Sequence, residues 1–171
     1  MEGLFRKINV GSFNENVFTT LNKEGALLTA GKPDHFNTMT ISWGTFGMLW
    51  NKPVLFVFVR PQRYTSEFMT NNHYFTVSLL GQEYKDIIDY CGSHSGRDSD
   101  KIKATGLIPH PTDLGNVIYE QVRWAFECKK IYDDKIKPES FLDPSIIQTT
   151  YQKSDFHRMF IGEIVNCYKP F

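Results

Sequence analysis

The chain has 171 residues, 19 basic against 19 acidic, and a formal net charge of zero. That length suits one domain with a sizeable core, spanning residues 1–171, and the charge balance offers nothing to a nucleic acid or an anionic membrane surface. Aromatic residues make up 15% of the chain, a content that fits a folded protein with a large apolar surface, such as a dimer interface or a pocket for a flat ligand.

The opening run MEGLFRKINVGSF contains no apolar stretch of signal-peptide length. The longest apolar run, VLFVFV (54–59), is too short to span a bilayer, so the sequence reads as soluble and cytoplasmic. NVFTTLNKEGALLTAG (16–31) reads as a strand, a turn at Asn22 to Gly25, and a second strand. FNTMTISWGTFGML (36–49) follows as a third strand, and Pro53 opens a fourth, VLFVFVR, apolar throughout and read as fully buried. PQRYTSEFMTNN (61–72) reads as a short helix with Thr65 or Ser66 at its N-cap. YFTVSLL (74–80) alternates as a strand does.

Residues 83–106 form the main helical region, one helix ending at Gly92 and a second beginning near Ser99 and ending at Gly106. VRWAFECKKIYDD (122–134) and HRMFIGEIVNCYK (157–169) read as the last long strands. Between them, residues 135–155 carry two prolines and weak periodicity, which predicts a long and functional surface excursion. The sum is about six strands with a few short helices, a mostly β fold closing into an antiparallel barrel.

Cys91, Cys128 and Cys167 are odd in number and contain no CxxC pair, so they read as buried free thiols. The five histidines never fall at HxH or HExxH spacing, and no metal site is indicated. Neither a GxGxxG turn, a GxxxxGK[ST] loop nor a GxSxG elbow is present. A chain without its own chemical machinery, yet with a polar strand set among aromatics, points to a borrowed cofactor.

Three segments suit a flat anionic cofactor. In NTMTISW (37–43), Asn37, Met39 and Ile41 alternate with Thr38, Thr40 and Ser42, so one face carries hydroxyls and Trp43 follows. Backbone N–H groups and hydroxyls there can bond the polar edge of a flavin; the plainer alternative is an edge strand facing water. In VRPQRYTSEF (59–68), Arg60 leaves the end of a buried strand, Arg63 follows and Thr65 caps a helix, where a phosphate can bind; the alternative is an arginine pair on a solvated turn. In SHSGRDSDK (93–101), Gly96 lets the backbone approach a ligand and Lys101 adds a compact positive charge; the alternative is that Ser99 or Asp98 simply caps the next helix. One ring site and two phosphate-capable sites fit a mononucleotide.

These runs, NTMTISWG, RPQRYT, SGRDSDK and DFHRMFIGEI, resemble those of the flavin reductase-like family of FMN-binding split barrels, in particular its flavoredoxin-type branch. The resemblance covers residues 16–169. It implies a split, Greek-key-like antiparallel β-barrel, usually a homodimer, with FMN held noncovalently near the subunit interface. It carries the cofactor role onto Asn37, Thr38, Met39, Thr40, Ser42 and Trp43 for the ring and ribityl chain. Arg60, Arg63, Tyr64, Thr65, Ser95, Gly96 and Lys101 go to the phosphate side, and Arg97 and Asp98 complete their motif. The late motif carries over to His157, Phe160, Gly162 and Glu163, with His157 near the flavin or a nicotinamide donor. The implied activity passes electrons from NAD(P)H through FMN to a small-molecule or protein acceptor. The alternative within the resemblance is an FMN electron carrier reduced by a partner protein, and outside it a barrel that binds without redox chemistry.

Overall fold

The computed structural model describes residues 3–171, and within them the chain forms ten strands and several short helices. The strands are β1 (Phe5–Lys7), β2 (Ala26–Lys32), β3 (His35–Ile41), β4 (Gly44–Leu49) and β5 (Lys52–Val59), then β6 (Tyr74–Leu80), β7 (Pro109–Pro111), β8 (Val117–Tyr119), β9 (Val122–Lys135) and β10 (Arg158–Pro170). Eight of them make one antiparallel sheet in the order β3-β2-β6-β9-β10-β5-β4, with β1 added beside β10, while β7 and β8 form a separate hairpin. This is the mostly β antiparallel fold expected of the sequence, with the three cysteines free and buried as anticipated.

Alternation along the strands divides the core in two, as a period of two requires. Leu28, Phe126 and Phe160 fall in one buried cluster, while their neighbours Leu27 and Ala125 fall in another that also takes up Ile88, Tyr119 and Tyr168. At about 25 cal/mol for each Å2 of apolar surface removed from water, these clusters are the main favourable term of the fold.

Several local expectations give way to tertiary context. Residues 17–24 are helical, not extended: α1 (Val17–Thr19) runs into a π-turn over Thr20–Glu24. The side chain of Asn16 accepts from Phe18 N and Thr19 N, which starts the turn, and Gly25 ends it at φ 80°. The 54–59 run is not uniformly buried, because Phe56 and Phe58 are half-exposed. Helix α2 (Thr65–Asn71) is capped at Tyr64 without a side-chain bond, so neither Thr65 nor Ser66 is its N-cap. Helix α3 (Lys85–Ser93) continues through Gly92, and α4 (Lys101–Thr105) starts at Asp100, whose carboxylate accepts from Lys103 N. Gly106 closes α4 at φ 70°, as expected. The 135–155 excursion holds its own helix, α5 (Pro144–Thr150), which buries no residue.

The difference that positions the site concerns residues 36–49. They are two strands, not one. β3 pairs only with β2 and β4 only with β5, at opposite ends of the sheet, and Ser42–Trp43 is the link that crosses the gap between them.

Candidate functional site

The site is built on the free edge of β3. Lys101 Nζ donates to Thr38 O at 2.8 Å, so that carbonyl points away from β2. Strand alternation then sets the backbone groups of Phe36 and Thr40 on the same open edge. Along this edge run three adjoining cavities.

The first, of about 270 Å3, lies across the gap between the sheet ends and is lined by Met39, Thr40, Ile41, Ser42, Trp43, Phe58, Arg60, Arg63 and His157. The second is a narrower neck of about 170 Å3 that shares Met39 and Arg63 with the first and adds Asn37, Tyr64, Thr65, Ser95, Gly96 and Lys101. The third, of about 460 Å3, shares Asn37, Gly96 and Lys101 with the neck and takes in Thr38. Every residue singled out for the cofactor in the sequence, together with His157, therefore lines at least one of three neighbouring cavities that share lining residues.

Their bonding differs from the simplest expectation. The Thr38 hydroxyl, buried on the far side of the strand, accepts from Thr29 Oγ1 at 3.0 Å and donates to Leu28 O at 3.3 Å. The Thr40 hydroxyl donates to Ile88 O. Both groups are engaged by protein because a buried hydroxyl without a partner costs free energy. What β3 offers the groove is thus its backbone edge and the side chains of Asn37 and Met39, with Ser42 added from the link that follows it.

In the neck, Asn37 Nδ2 donates to Thr65 Oγ1 at 2.7 Å, tying β3 to the start of α2. Gly96 is a close approach: a Cβ there would overlap Asn37 Oδ1 and lie 3.2 Å from Tyr64 Cδ1. Arg63 donates to Gly92 O at 2.8 Å, and Lys101 donates to Cys91 O at 2.9 Å as well as to Thr38 O. Among the described residues neither cation has a carboxylate partner. Lys101 is only 6% exposed. Burial, with Arg63 nearby, overrides the opposing pull of the Cys91 thiol and lowers its ammonium to about 8. Burial and the neighbouring Arg60 likewise lower the Arg63 guanidinium.

Arg60 is held differently. Its guanidinium forms an ion pair with Asp155, donates to Thr150 O at 3.1 Å, and lies 5.4 Å from the Tyr151 ring. Arg60 thus belongs to the first cavity, with its charge balanced, and not to the neck. Its partners come from the 135–155 excursion, which is thereby tied to a residue that lines that cavity. Tyr151 also shares a 2.9 Å hydrogen bond with His157 Nδ1. His157 sits 5.0 Å from Trp43, ring to ring, and burial, with Arg60 adding to it, pushes its pKa down to about 4. It is a neutral imidazole at physiological pH. Phe160 and Gly162 lie inside the barrel, where a Cβ on Gly162 would meet the Phe75 ring at 2.5 Å, and Glu163 pairs with Lys52 at 2.7 Å. This part of the late motif is structural.

Asp155 and Tyr151 were not singled out by sequence reasoning. Asp155 stands two residues before His157 in a recognisable run, which was the available signal; Tyr151 had none. No group of three or more metal-ligating side chains occurs among the described residues, and no described helix is long and apolar enough to cross a membrane.

The fold is thus an antiparallel sheet split between β3 and β4, with a cationic neck beside its edge-strand groove. Comparison makes this specific: the flavin reductase like domain matches residues 19–170, and the chain belongs to that family. Similar solved structures include an FMN-binding protein from Thermus thermophilus with bound 1-cyclohex-2-enone, at 21% identity and a TM-score of 0.67, covering 96% of this chain and 80% of that one. The flavoredoxin of Methanosarcina acetivorans is 24% identical with a TM-score of 0.66, over 96% and 75% of the two chains. An NADH:FAD oxidoreductase of Streptomyces globisporus C-1027, in complex with NAD and FAD fragments, is 16% identical with a TM-score of 0.65, over 85% and 74%. At these identities the likeness establishes the fold. No curated protein matches the chain significantly.

Proposed function

We propose that the protein is an FMN-dependent oxidoreductase that uses NAD(P)H. The observation that carries the reading is the neck: two cations, Arg63 and Lys101, close enough to repel one another and held only by backbone carbonyls. A phosphate there relieves the repulsion and gains charge-assisted hydrogen bonds. Thr65, Ser95 and the close backbone at Gly96 complete an anion cradle. These residues fit the phosphate end of FMN, and the first cavity fits its ring.

FMN bound there would supply the redox chemistry between NAD(P)H and a flavin or protein acceptor. The chain orients the ring with the backbone edge of β3 and with Asn37, Met39 and Ser42. Trp43 and Phe58 supply apolar walls that keep water from the ring. His157, neutral and fixed at Nδ1 by Tyr151, retains Nε2 for a neutral hydrogen bond to a ligand. The protein works as a homodimer, a reading supported by the apolar side chains of Met48 and Trp50, 71% and 57% exposed at edge strand β4 and the turn after it.

A visible absorption spectrum of the purified protein tests the reading, taken after adding FMN and then NADH or NADPH. Flavin bands that shift on binding and bleach with the nucleotide are expected. Bands that never bleach would favour an electron carrier reduced by a partner protein. No uptake of FMN at all would remove the flavin reading.

A further inference from the structure

A fourth cavity, of about 430 Å3, shares no lining residue with the three along β3. Its volume lies within the roughly 300–1,000 Å3 range of small-molecule sites. It forms where the end of β9, the start of β10 and the first part of the 135–155 excursion meet. Core burial does not explain the path of that excursion, since α5 buries no residue and Leu142 is fully exposed. Phe141 borders the cavity and is itself half-buried, its ring 6.0 Å from Tyr151 and 6.2 Å from Phe156. Met159 stands opposite Phe58 in the β10–β5 register, and directly opposed residues share one face of a sheet. Phe58 lines the first cavity, so the fourth cavity is its neighbour on that face.

The polar groups of the fourth cavity divide into those already engaged and those left open. The Asp134 carboxylate is engaged: Lys137 Nζ lies 3.1 Å away, Lys135 N donates at 2.8 Å and Tyr132 OH donates at 3.3 Å. The same contact neutralises Lys137. What stays open is the Lys135 ammonium, which has no carboxylate partner among the described residues, and the Ser140 hydroxyl. Both are donors, and one is charged. Beside them Ile136, Phe141 and Met159 supply an apolar surface, with a thioether suited to the edge of a ring.

We propose that this cavity binds a small organic carboxylate with a flat apolar body, outside the flavin groove. The carboxylate takes charge-assisted hydrogen bonds from Lys135 and a further one from Ser140, while the body lies on Ile136, Phe141 and Met159. An occupant there braces Phe141 against Tyr151, which bonds His157 at 2.9 Å. The site is thus two side chains away from the imidazole of the first cavity.

Calorimetric titration of the full chain with 2-naphthoate tests this, with and without saturating FMN. Wild type should take up one equivalent per chain, with affinities in the two states within about twofold of each other because the cavities share no wall. Lys135→Glu should weaken binding about tenfold, the scale of losing one exposed ion pair and gaining a repulsion. Ser140→Trp, which fills the cavity from its rim, should abolish it. Both positions are exposed, so both variants should fold. Lys23→Glu carries the same charge change near the other end of β9, beside the Glu24 that pairs with Arg123, and should bind like wild type. No uptake by wild type at about 1 mM, a level that admits even weak sites, overturns the proposal. So does displacement of 2-naphthoate by FMN, which would place it in the flavin groove. Equal weakening by Lys23→Glu, or unchanged binding by Ser140→Trp, would do the same. If FMN itself fails to bind, the flavin reading falls, and the flavin-free titration still decides this one.

Discussion

Arg60 and Arg63 are close in sequence and equally plausible phosphate ligands, but the fold gives them different electrostatic situations. Arg60 is neutralised by Asp155, whereas Arg63 rests on the Gly92 carbonyl alone. Replacing Arg63 by Ala removes a charge-assisted bond to the phosphate, about 1.5–3 kcal/mol, which is a roughly 10- to 150-fold loss of FMN affinity. Replacing Arg60 by Ala should change that affinity by no more than about threefold, since its charge is already compensated. The Arg60 variant should instead release Thr150 and Asp155 and so loosen the segment that holds them. Fluorescence titration with FMN gives the first quantity, and the rate of tryptic cleavage at Lys153 gives the second. An Arg60→Ala variant that loses FMN as severely as Arg63→Ala, with cleavage unchanged, would show that the guanidinium abandons Asp155 for the phosphate, and the charge argument would be wrong.

Gly96→Ala should push Asn37 off Thr65, removing a buried hydrogen bond worth about 1–3 kcal/mol and weakening FMN; wild-type melting and affinity would contradict the close approach. With Lys101 titrating at about 8 in the free protein, FMN affinity should be complete below that pH and fall roughly tenfold between pH 7 and 9; the slope should vanish in Lys101→Met. His157 has a folded-state pKa of about 4 against an unfolded value of 6.5, so the unfolded chain takes up the proton first as pH falls. Stability is intact above pH 6.5 and is lost toward pH 4, by about 2 kcal/mol between pH 7 and 5. Urea unfolding at both pH values should show a smaller drop for His157→Gln, and an equal drop would clear His157 of the effect.

The long strands were legible because their pattern is dictated by burial on the sheet's two faces; β9 and β10 fall within two residues of expectation. Residues 17–24 were not, because a β-prone run was captured by the Asn16 cap and by burial of Leu21. The break at Ser42–Trp43 left no local mark, since both flanking runs favour strands and only the closure of the sheet separates them. The residues that line the cavities were legible as a set because their runs share a family pattern. Their division of labour was not, because the pairing of Arg60 with Asp155 spans 95 positions and only the fold brings the two together.

The two-residue link between β3 and β4 joins the first and last strands of the sheet path, and the groove lies across that seam. A ligand lodged there acts as a latch on the whole sheet. The sheet cannot open from either end without expelling it, so its binding energy should appear in global unfolding and not merely in local protection. Saturation at 100 times Kd would add about 2.7 kcal/mol to the unfolding free energy. The protein's thermal stability would then report how much of its pool carries the cofactor, and loss of the cofactor would mark chains for unfolding.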